Sequence, residues 1–570
     1  MTGPVRGGGT EAGGAATTDR RPVVLIAEEL SPTAVAALGP EVEIRDRSGA
    51  GREALLTELA EADAVLVRDT TRIDAEALAA APRLKVIATA GAGVGAVDVP
   101  AATAAGVMVV NAPTAHAVSA AELAVGLLLA VARGIPRADA SPTGGRRPRS
   151  RPPGMELADK VLGLVGLGPV GWEVARRMRA FAMEVIAYDP SAGTGHPVGH
   201  PAGHLAAEGV RLVTLDELLG RADLVSVHLP ETPEHRGLLG FDALHRIGPG
   251  ARLVDVTGGG AVDQLELYAA LKEGRVAAAG IVARAESPLA ELDTVVVTPE
   301  PAAHTPEAEE RAGVSAARSV RRVLGGEVVP EAVNVRAGTV PRASAPWLAL
   351  TERLAALVTA ATGGPPPRLE IVATGGPTEP ETAPPEPTTP EPTALEPAAL
   401  EPAALELAAL KGALTGAGLT RVSYVNAPVL AEERGMTATA TTAAPEAGGD
   451  RSVTVRATLP GGDGVSVTGA LSAPEGTVRL VEICGRPLDF PLAGETLFLR
   501  CRDAAGVLGG LGAALGRGGV HITAMRVART APGGDAVVVL GVDRPVRPDL
   551  LTEAACAVEA THWWTLSGRG

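Results

Sequence analysis

Residues 160–181 read KVLGLVGLGPVGWEVARRMRAF, and this stretch decides the fold. An apolar strand is predicted at 162–165 and a helix at 172–181, with Gly166, Gly168 and Gly171 between them in the spacing G-x-G-x-x-G. The first glycine permits a tight turn, the second lets a pyrophosphate approach the backbone, and the third lets helix and strand pack closely. The stretch therefore predicts a strand–turn–helix unit that binds a dinucleotide at the helix N-terminus.

A carboxylate follows this unit at the expected distance. Asp189 closes the next predicted strand about 20 residues on, where it can accept hydrogen bonds from the ribose hydroxyls of the cofactor. It would repel a 2′-phosphate, and no Arg follows it closely, so NAD is predicted rather than NADP. A glycine-rich turn alone can be purely structural, but strand, turn, helix and Asp together favour a cofactor site.

The surrounding sequence alternates strands with helices. Upstream, the apolar segments RPVVLIAEEL, ADAVLVRD and LKVIATAGAG alternate with helical patterns and predict one open parallel sheet. After the apolar helix SAAELAVGLLLAVARGI, the motif and the segments EVIAYDP, ADLVSVHLP, RLVDVTGG, VAAAGIVA and TVVVTP predict a second parallel sheet.

Composition excludes several classes of function. The 570 residues suffice for several domains, and a net charge of −15 argues against nucleic acid as a partner. The longest apolar run, at 123–132, is shorter than the ~20 residues that cross a bilayer, so no membrane span is expected. Residues 1–21 have no apolar core and are predicted to be a disordered leader rather than a secretory signal. The three cysteines lack metal-site spacing, which predicts no metal site and a cytoplasmic protein.

Residues 363–410 form a proline-rich stretch in which the dipeptide EP recurs. Its first part is predicted to form neither helix nor sheet, because proline interrupts almost every turn. Its last third, which continues beyond residue 410 and reads ALEPAALELAALKGAL, has leucine spacing that could form a helix once the prolines stop. We interpret the stretch as an acidic surface insertion rather than as a specific partner-binding motif, because composition alone names no partner.

Longer motifs carry a family resemblance: NAPTAHAVSAAE at 111–122, GLGPVG at 166–171, SVHLPETPE at 226–234 and YVNAPVLAEERG at 424–435. From about residue 22 to 566 the chain resembles the NAD-dependent D-2-hydroxyacid dehydrogenases, in particular their long, actinobacterial-type D-3-phosphoglycerate dehydrogenases. The resemblance implies two Rossmann-like parallel-sheet domains, an α+β intervening domain and a C-terminal ACT domain of order βαββαβ. The implied ranges are a split substrate domain at 22–114 and 302–332, an NAD domain at 115–301, an intervening domain at 333–490 and the ACT domain at 491–570.

The resemblance also implies three catalytic roles in oxidising 3-phosphoglycerate. An Arg binds the substrate carboxylate, a His removes the hydroxyl proton, and a Glu orients the His. At the matching positions this chain has Gly258, Ser287 with Glu286 beside it, and Glu300. Val282 occupies the position of an Asp that faces the nicotinamide. All three catalytic roles are therefore vacated, which predicts very low or no activity.

The substrate- and cofactor-binding positions are partly retained. By resemblance Arg68, Asn111 and His116 would bind substrate, although the carboxylate of Asp69 stands beside Arg68. Pro169 replaces an Arg of the glycine turn; it suits a first helical position but removes a phosphate contact and a backbone donor. The implied cofactor-binding positions are Gly166, Gly168, Pro169, Val170, Gly171, Asp189, His228, Pro230, Thr257 and Val282.

The implied ACT domain would hold an effector, with serine as the candidate. Its expected ligands include Asp503 and, where the family has Asn, His521. Because that Asn and a neighbouring Arg-Pro pair are replaced, weakened serine binding is predicted. The resemblance also implies a homo-oligomer whose small-molecule partners are 3-phosphoglycerate and serine.

Two hypotheses therefore remain open. The chain is either a divergent dehydrogenase, acting on 3-phosphoglycerate or another 2-hydroxy acid, or a non-catalytic paralogue that retains the fold and NAD binding. Activity could be rescued if Glu300 acted as base near His304 and His116, with Arg284 or Arg68 binding the anion. The simpler interpretation is that both histidines are partly exposed polar residues at strand ends.

Overall fold

The computed structural model describes residues 20–135, 154–191, 209–230, 232–258, 260–283, 287–299, 303–336, 344–374, 401–443, 451–458, 464–472, 477–492 and 494–567. The predictions made for Glu300, Arg284 and Glu286, for nearly all of the leader and for 375–400 lie outside these residues. Within them, no helix is long and apolar enough to cross a membrane.

The first unit is a five-stranded parallel sheet of order β2-β1-β3-β4-β5. Its alternate side chains pack on opposite faces, because Ile26 lies in one core with Val320, whereas Leu25 lies in another core with Leu59. The strands are β1 (Val23–Ile26), β2 (Glu43–Asp46), β3 (Ala64–Val67), β4 (Val86–Thr89) and β5 (Met108–Val110), and the helices are α1 (Pro32–Ala36), α2 (Arg52–Leu59), α3 (Ala75–Ala80) and α4 (Val99–Ala104).

The second unit is a seven-stranded parallel sheet of order β12-β11-β10-β9-β6-β7-β8. Helices cover both faces: Leu164 packs with Leu128 of α5, and Val165 packs with Leu218 of α7. The helices are α5 (Ala117–Arg133), α6 (Pro169–Arg179), α7 (Leu215–Arg221), α8 (Phe241–Arg246) and α9 (Gln264–Lys272). The strands are β6 (Val161–Val165), β7 (Glu184–Tyr188), β8 (Val210–Leu212), β9 (Leu224–Val227), β10 (Ala251–Asp255), β11 (Val276–Ala283) and β12 (Val295–Pro299).

The long helix α10 (Pro306–Leu324) returns the chain to the first sheet. After it, the amide of Val333 donates to the carbonyl of Val109 in β5 at 2.9 Å, and the Asn334 side chain accepts from the Val109 amide at the same distance. A later segment thus closes the edge of a sheet built from the start of the chain.

A six-stranded sheet of order β14-β13-β15-β16-β17-β18 follows, packed against helices α11 and α12. The prediction for the proline-rich stretch is wrong in two respects. Arg368–Thr374 forms strand β13, because its apolar residues alternate to the inside. The helix that the leucine spacing predicted is confirmed as α12 (Pro402–Gly416), but its leucines are buried and it is therefore not a surface insertion. The elements are α11 (Ala345–Thr362), β13, α12, α13 (Ala427–Glu432), β14 (Thr437–Ala443), β15 (Ser452–Thr458), β16 (Gly464–Ser472), β17 (Thr477–Ile483) and β18 (Arg486–Pro491).

The C-terminal unit is a four-stranded antiparallel sheet of order β20-β21-β19-β22. Its element order is βαββαβ: β19 (Glu495–Arg502), α14 (Val507–Arg517), β20 (Ile522–Arg529), β21 (Asp535–Val542), α15 (Pro548–Cys556) and β22 (His562–Leu566). The predicted fold class is therefore confirmed for all four units.

Candidate functional site

The glycine turn between β6 and α6 has the geometry that its spacing predicts. Gly166 adopts φ +99°, and a Cβ there would lie 2.9 Å from the backbone of His228. A Cβ on Gly171 would lie 2.3 Å from the Gly166 carbonyl oxygen, whereas one on Gly168 would meet nothing within 4 Å. Two glycines are thus needed for packing, and the third leaves open space beside the turn.

Helix α6 presents its N-terminus to this open space. It begins at Pro169, earlier than the predicted Trp172, and Gly168 at its N-cap offers no side chain. The first N–H groups of a helix have no partner within it, so those of Val170 and Gly171 can donate to an anion. Pro169 lacks an N–H, as predicted, and its fixed φ suits this first position.

Asp189 follows β7 directly and holds the turn in place. Its Oδ2 accepts a hydrogen bond from the Leu167 amide at 2.8 Å, and its Oδ1 accepts one from the Ser191 amide at 2.9 Å. The carboxylate therefore has a structural role that sequence reasoning missed. Its predicted contact with a ribose remains a prediction.

His228, at the end of β9, forms the floor of the turn. Both ring nitrogens are buried and have no hydrogen-bond partner in the part of the chain that the structure describes, and burial lowers the pKa of this imidazole to about 3. The ring is therefore neutral at physiological pH, beside the turn where the resemblance places cofactor. Pro230, two residues on, uses its carbonyl to accept a hydrogen bond from Nδ1 of His235 at 2.9 Å.

The end of β10 lies two strands along the same sheet edge. Asp255 is buried there, and both the amide and the hydroxyl of Thr257 donate to its Oδ1, at 2.9 and 2.6 Å. Burial raises the pKa of this carboxyl group, while the two bonds from Thr257 partly lower it. Gly258 follows with φ +85°, a conformation that L side chains rarely adopt. The position at which the resemblance implies an Arg therefore also has a backbone conformation that favours glycine.

Of the other two vacated positions, Glu300 lies outside the described residues and Ser287 lies within them, as does Val282 at the position of the implied Asp. Val282 is buried in β11, where it has no polar group to offer a nicotinamide. The Ser287 hydroxyl accepts from the Leu289 amide at 3.3 Å, which caps the short 3₁₀-helix Pro288–Glu291, and it donates to Gln264 at 2.9 Å. Ser287 therefore has a local structural role.

Arg68 follows β3 on the first sheet and is already paired. Its guanidinium lies 3.1 Å from Glu309 on α10, and the same carboxylate oxygen lies 2.9 Å from Nδ1 of His304. The loop that carries Arg68 is held by Glu28, which accepts from the amides of Arg68 and Thr71 at 2.9 and 2.8 Å. Burial would raise the pKa of Glu28, but these backbone bonds outweigh it and lower the pKa. An anion would have to compete with Glu309 for Arg68.

Asn111 and His116 lie on the segment between β5 and α5. The Asn111 side chain donates to the Ala92 carbonyl at 2.6 Å, and His116 occupies the N-cap position of α5, where its buried Nε2 has no hydrogen-bond partner among the described residues. Next to them, the hydroxyls of Ser119 and Thr305 share a hydrogen bond of 2.9 Å, which joins the starts of α5 and α10. No sequence pattern indicates the roles of Glu28 and Glu309, because their contacts depend on the tertiary fold.

Comparison with known proteins identifies the family. A profile for the NAD binding domain of D-isomer specific 2-hydroxyacid dehydrogenases matches residues 125–302, and one for the D-3-phosphoglycerate dehydrogenase intervening domain matches 396–484. The D-3-phosphoglycerate dehydrogenase of Mycobacterium tuberculosis is 44% identical over 544 residues, covering 95% of this chain and 98% of that protein. This chain belongs to the D-3-phosphoglycerate dehydrogenase family.

More distant proteins match as well. The D-3-phosphoglycerate dehydrogenase of Methanocaldococcus jannaschii is 32% identical and covers 93% of this chain and 96% of its own length. A protein of solved structure from Thermus thermophilus is 32% identical with a TM-score of 0.45, over 55% of this chain and 99% of that one.

The cofactor of this D-3-phosphoglycerate dehydrogenase family member is NAD, as predicted. The turn fits it, because the space beside Gly168 and the free N–H groups of Val170 and Gly171 can receive a pyrophosphate, with Asp189 at the end of the neighbouring strand. The contacts of the individual residues with NAD remain predictions.

The predicted effector residues lie in the C-terminal unit of this D-3-phosphoglycerate dehydrogenase relative. Asp503 accepts hydrogen bonds from Arg529 at 2.6 Å and from the Gly533 amide at 3.2 Å, and the Arg529 bond lowers its pKa. The amide of His521 donates to Asp543 at 3.0 Å. Both residues thus take part in contacts within this unit, and their role in binding serine remains a prediction.

Proposed function

We propose that this protein binds NAD and has very low or no D-3-phosphoglycerate dehydrogenase activity. One observation carries the proposal: the loop after β10 has Gly258 at φ +85° where the resemblance expects the Arg that grips substrate. A fork-shaped guanidinium binds a carboxylate through two charge-assisted hydrogen bonds, and a glycine supplies neither. Bound NAD would supply a hydride acceptor, but substrate would not be held against it.

The charges around Arg68 support the same conclusion. Glu309 lies within 3.1 Å of Arg68, and its carboxylate would repel an anionic substrate that approaches this cation. The Arg that survives in the sequence is therefore partly neutralised by a residue of its own chain.

The expected loss of rate is large. A positioned acid or base contributes roughly 10²–10⁴-fold, and loss of the substrate-binding Arg weakens binding further. These losses do not simply add, since residues of one catalytic unit act together. Even so, a protein that lacks all three catalytic side chains should have little of the family activity.

The test compares NADH formation from 3-phosphoglycerate by this protein with that by the Mycobacterium tuberculosis relative. The same preparation is titrated with NAD by tryptophan fluorescence, with Trp172→Phe as control, because Trp172 lies directly after the glycine turn. We expect a saturable signal that Trp172→Phe reduces, and little or no NADH. Turnover like that of the relative would refute low activity, and no response at millimolar NAD would refute cofactor binding.

A second candidate is an enzyme for a different 2-hydroxy acid. It is favoured by the contact between Nδ1 of His304 and Glu309 beside Arg68, since an imidazole oriented by a carboxylate is a common general base. This candidate predicts NADH formation from some other D-2-hydroxy acid that is abolished by His304→Asn. Activity unchanged by His304→Asn would exclude this base.

A further inference from the structure

A cleft of about 580 Å³ lies between the first sheet and the segment that precedes α13. Asp63 and Lys85 on one wall come just before β3 and β4, and therefore mark the amino ends of these parallel strands. Arg68 and Asn111 follow the carboxyl ends of β3 and β5. The cleft is thus at the opposite edge of the sheet from the candidate functional site, and neither the family comparisons nor the proposed function assigns it a role.

The cleft has an excess of positive charge. Four cations line it: Arg83, Lys85, Lys411 and Arg421. Arg83 is paired with Asp63 at 3.2 Å, and Lys411 is paired with Glu352 of α11 at 2.8 Å.

The other two cations are free. Lys85 and Arg421 make no ion pair with any residue that the structure describes. Both line the cleft, Lys85 from the first sheet and Arg421 from the facing segment.

The rest of the lining is mostly apolar and includes one further carboxylate, Glu327. The Tyr424 ring lies under Nζ of Lys411 at 4.3 Å, and its hydroxyl donates to Glu352. Burial, followed by the nearby Glu352 charge, raises the pKa of this phenol. Beside the cleft the two units touch closely, since a Cβ on Gly106 would lie 2.7 Å from Nδ2 of Asn426. The cavity is within the size range of small-molecule sites, and it combines an apolar wall with a few convergent charges.

We propose that this cleft binds a compact organic anion with two or more negative charges, either a phosphate monoester or a polycarboxylate. The anion bridges Lys85 and Arg421 and so links the substrate-side sheet to the unit built around α12. Because it contacts both units, it stabilises their mutual arrangement, which gives the protein a ligand-dependent control remote from the NAD turn.

The test uses the full-length protein labelled with 3-fluorotyrosine. The protein has three tyrosines, so its fluorine spectrum has few resonances. Tyr424→Phe assigns the fluorine resonance of Tyr424. The protein is titrated separately with inorganic phosphate and with citrate, against chloride at equal ionic strength. We expect a saturable shift of the Tyr424 resonance with at least one anion and none with chloride. The anion that acts at the lower concentration identifies the preferred charged group.

Two double variants decide where the anion binds. Lys85→Gln with Arg421→Asn should weaken the apparent affinity by about tenfold or more, and Asn tolerates the φ of +61° at position 421. The matched control, Lys272→Gln with Arg526→Asn, removes the same charges from exposed sites elsewhere and should leave the affinity unchanged. The proposal is overturned if neither anion gives a saturable shift, or if both double variants bind alike. The readout requires neither NAD nor dehydrogenase activity, so it is independent of the proposed function.

Discussion

Two loops at one edge of the seven-stranded sheet have diverged to different extents. The turn after β6 retains every steric requirement of a dinucleotide site, with Gly166 at φ +99° and Gly171 against the backbone. The loop after β10 has Asp255 buried and hydrogen-bonded to Thr257, and Gly258 where the resemblance implies an Arg. The proposed function therefore separates cofactor binding from catalysis within one sheet.

The difference follows from what each function requires. NAD binding depends on backbone geometry and open space, which several residues enforce together. Catalysis depends on single side chains, each of which one substitution removes. Single substitutions at this edge of the sheet test the contrast between the two loops.

Gly171→Ala should abolish NAD binding and destabilise the protein. The new Cβ would lie 2.3 Å from a backbone oxygen, which cannot move without displacing the turn, so a cost of about 3 kcal/mol is expected, the upper range for overpacking. Urea denaturation and NAD titration provide the measurements. Gly220→Ala on α7, which meets nothing within 4 Å, is the control and should unfold at the same or higher urea concentration.

Because His228 is buried as the neutral imidazole, the free energy of unfolding should decrease at acid pH. Its imidazole titrates near 6.5 in the unfolded chain and at about 3 in the folded protein. The unfolded state binds the proton first, so stability is full above about 6.5 and falls by about 1.4 kcal/mol per pH unit towards pH 3. Urea midpoints of the wild type and His228→Gln at pH 7.5 and 5.5 measure this. Equal pH slopes in both proteins would refute the role of His228.

Gly168→Ala should weaken the binding of NAD without changing the stability of the fold. Its Cβ would meet no protein atom within 4 Å and would occupy the space through which a pyrophosphate approaches, so about tenfold weaker binding, or about 1.4 kcal/mol, is expected. Its thermal midpoint should equal that of the wild type. Unchanged NAD affinity would mean that the cofactor does not pass this residue.

Asp255→Asn should have the smallest effect, because an amide oxygen can accept the same two bonds from Thr257. The pKa of Asp255 is raised by burial, so the stability of the wild type is lost as pH rises through that raised value. As pH increases, the free energy of unfolding of the variant should rise relative to that of the wild type by about 1 kcal/mol, the order of one hydrogen bond. A gain that increases towards low pH would contradict this sign.

The sequence predicts local geometry well. The glycine spacing predicted the turn, because each glycine meets a separate steric demand, and the strand–helix alternation predicted both parallel sheets. Strand β13 was missed because proline-rich composition outweighed the alternation of Leu369, Ile371 and Ala373, all of which face inward. The burial of α12 was also missed, since nothing in the sequence shows that Gly412 contacts the backbone of α11 at Glu352.

The candidate site was predictable only in part. The sequence singles out Gly258 by its position after a strand. It does not predict the left-handed backbone at Gly258, which makes this position a poor site for restoring an Arg. The pair between Arg68 and Glu309 joins residues that are far apart in sequence, so only the fold shows that this cation is already engaged. Side-chain pairing of this kind depends on tertiary contacts, which local patterns do not encode.

We propose that this protein retains NAD binding and has lost efficient catalysis. The most direct measurement is the amount of NADH formed per mole of protein when the NAD-saturated protein is mixed with excess 3-phosphoglycerate. We predict far less than one NADH per protein over a period in which the Mycobacterium tuberculosis relative completes many turnovers. Repeated turnover by this protein would show that catalysis is retained.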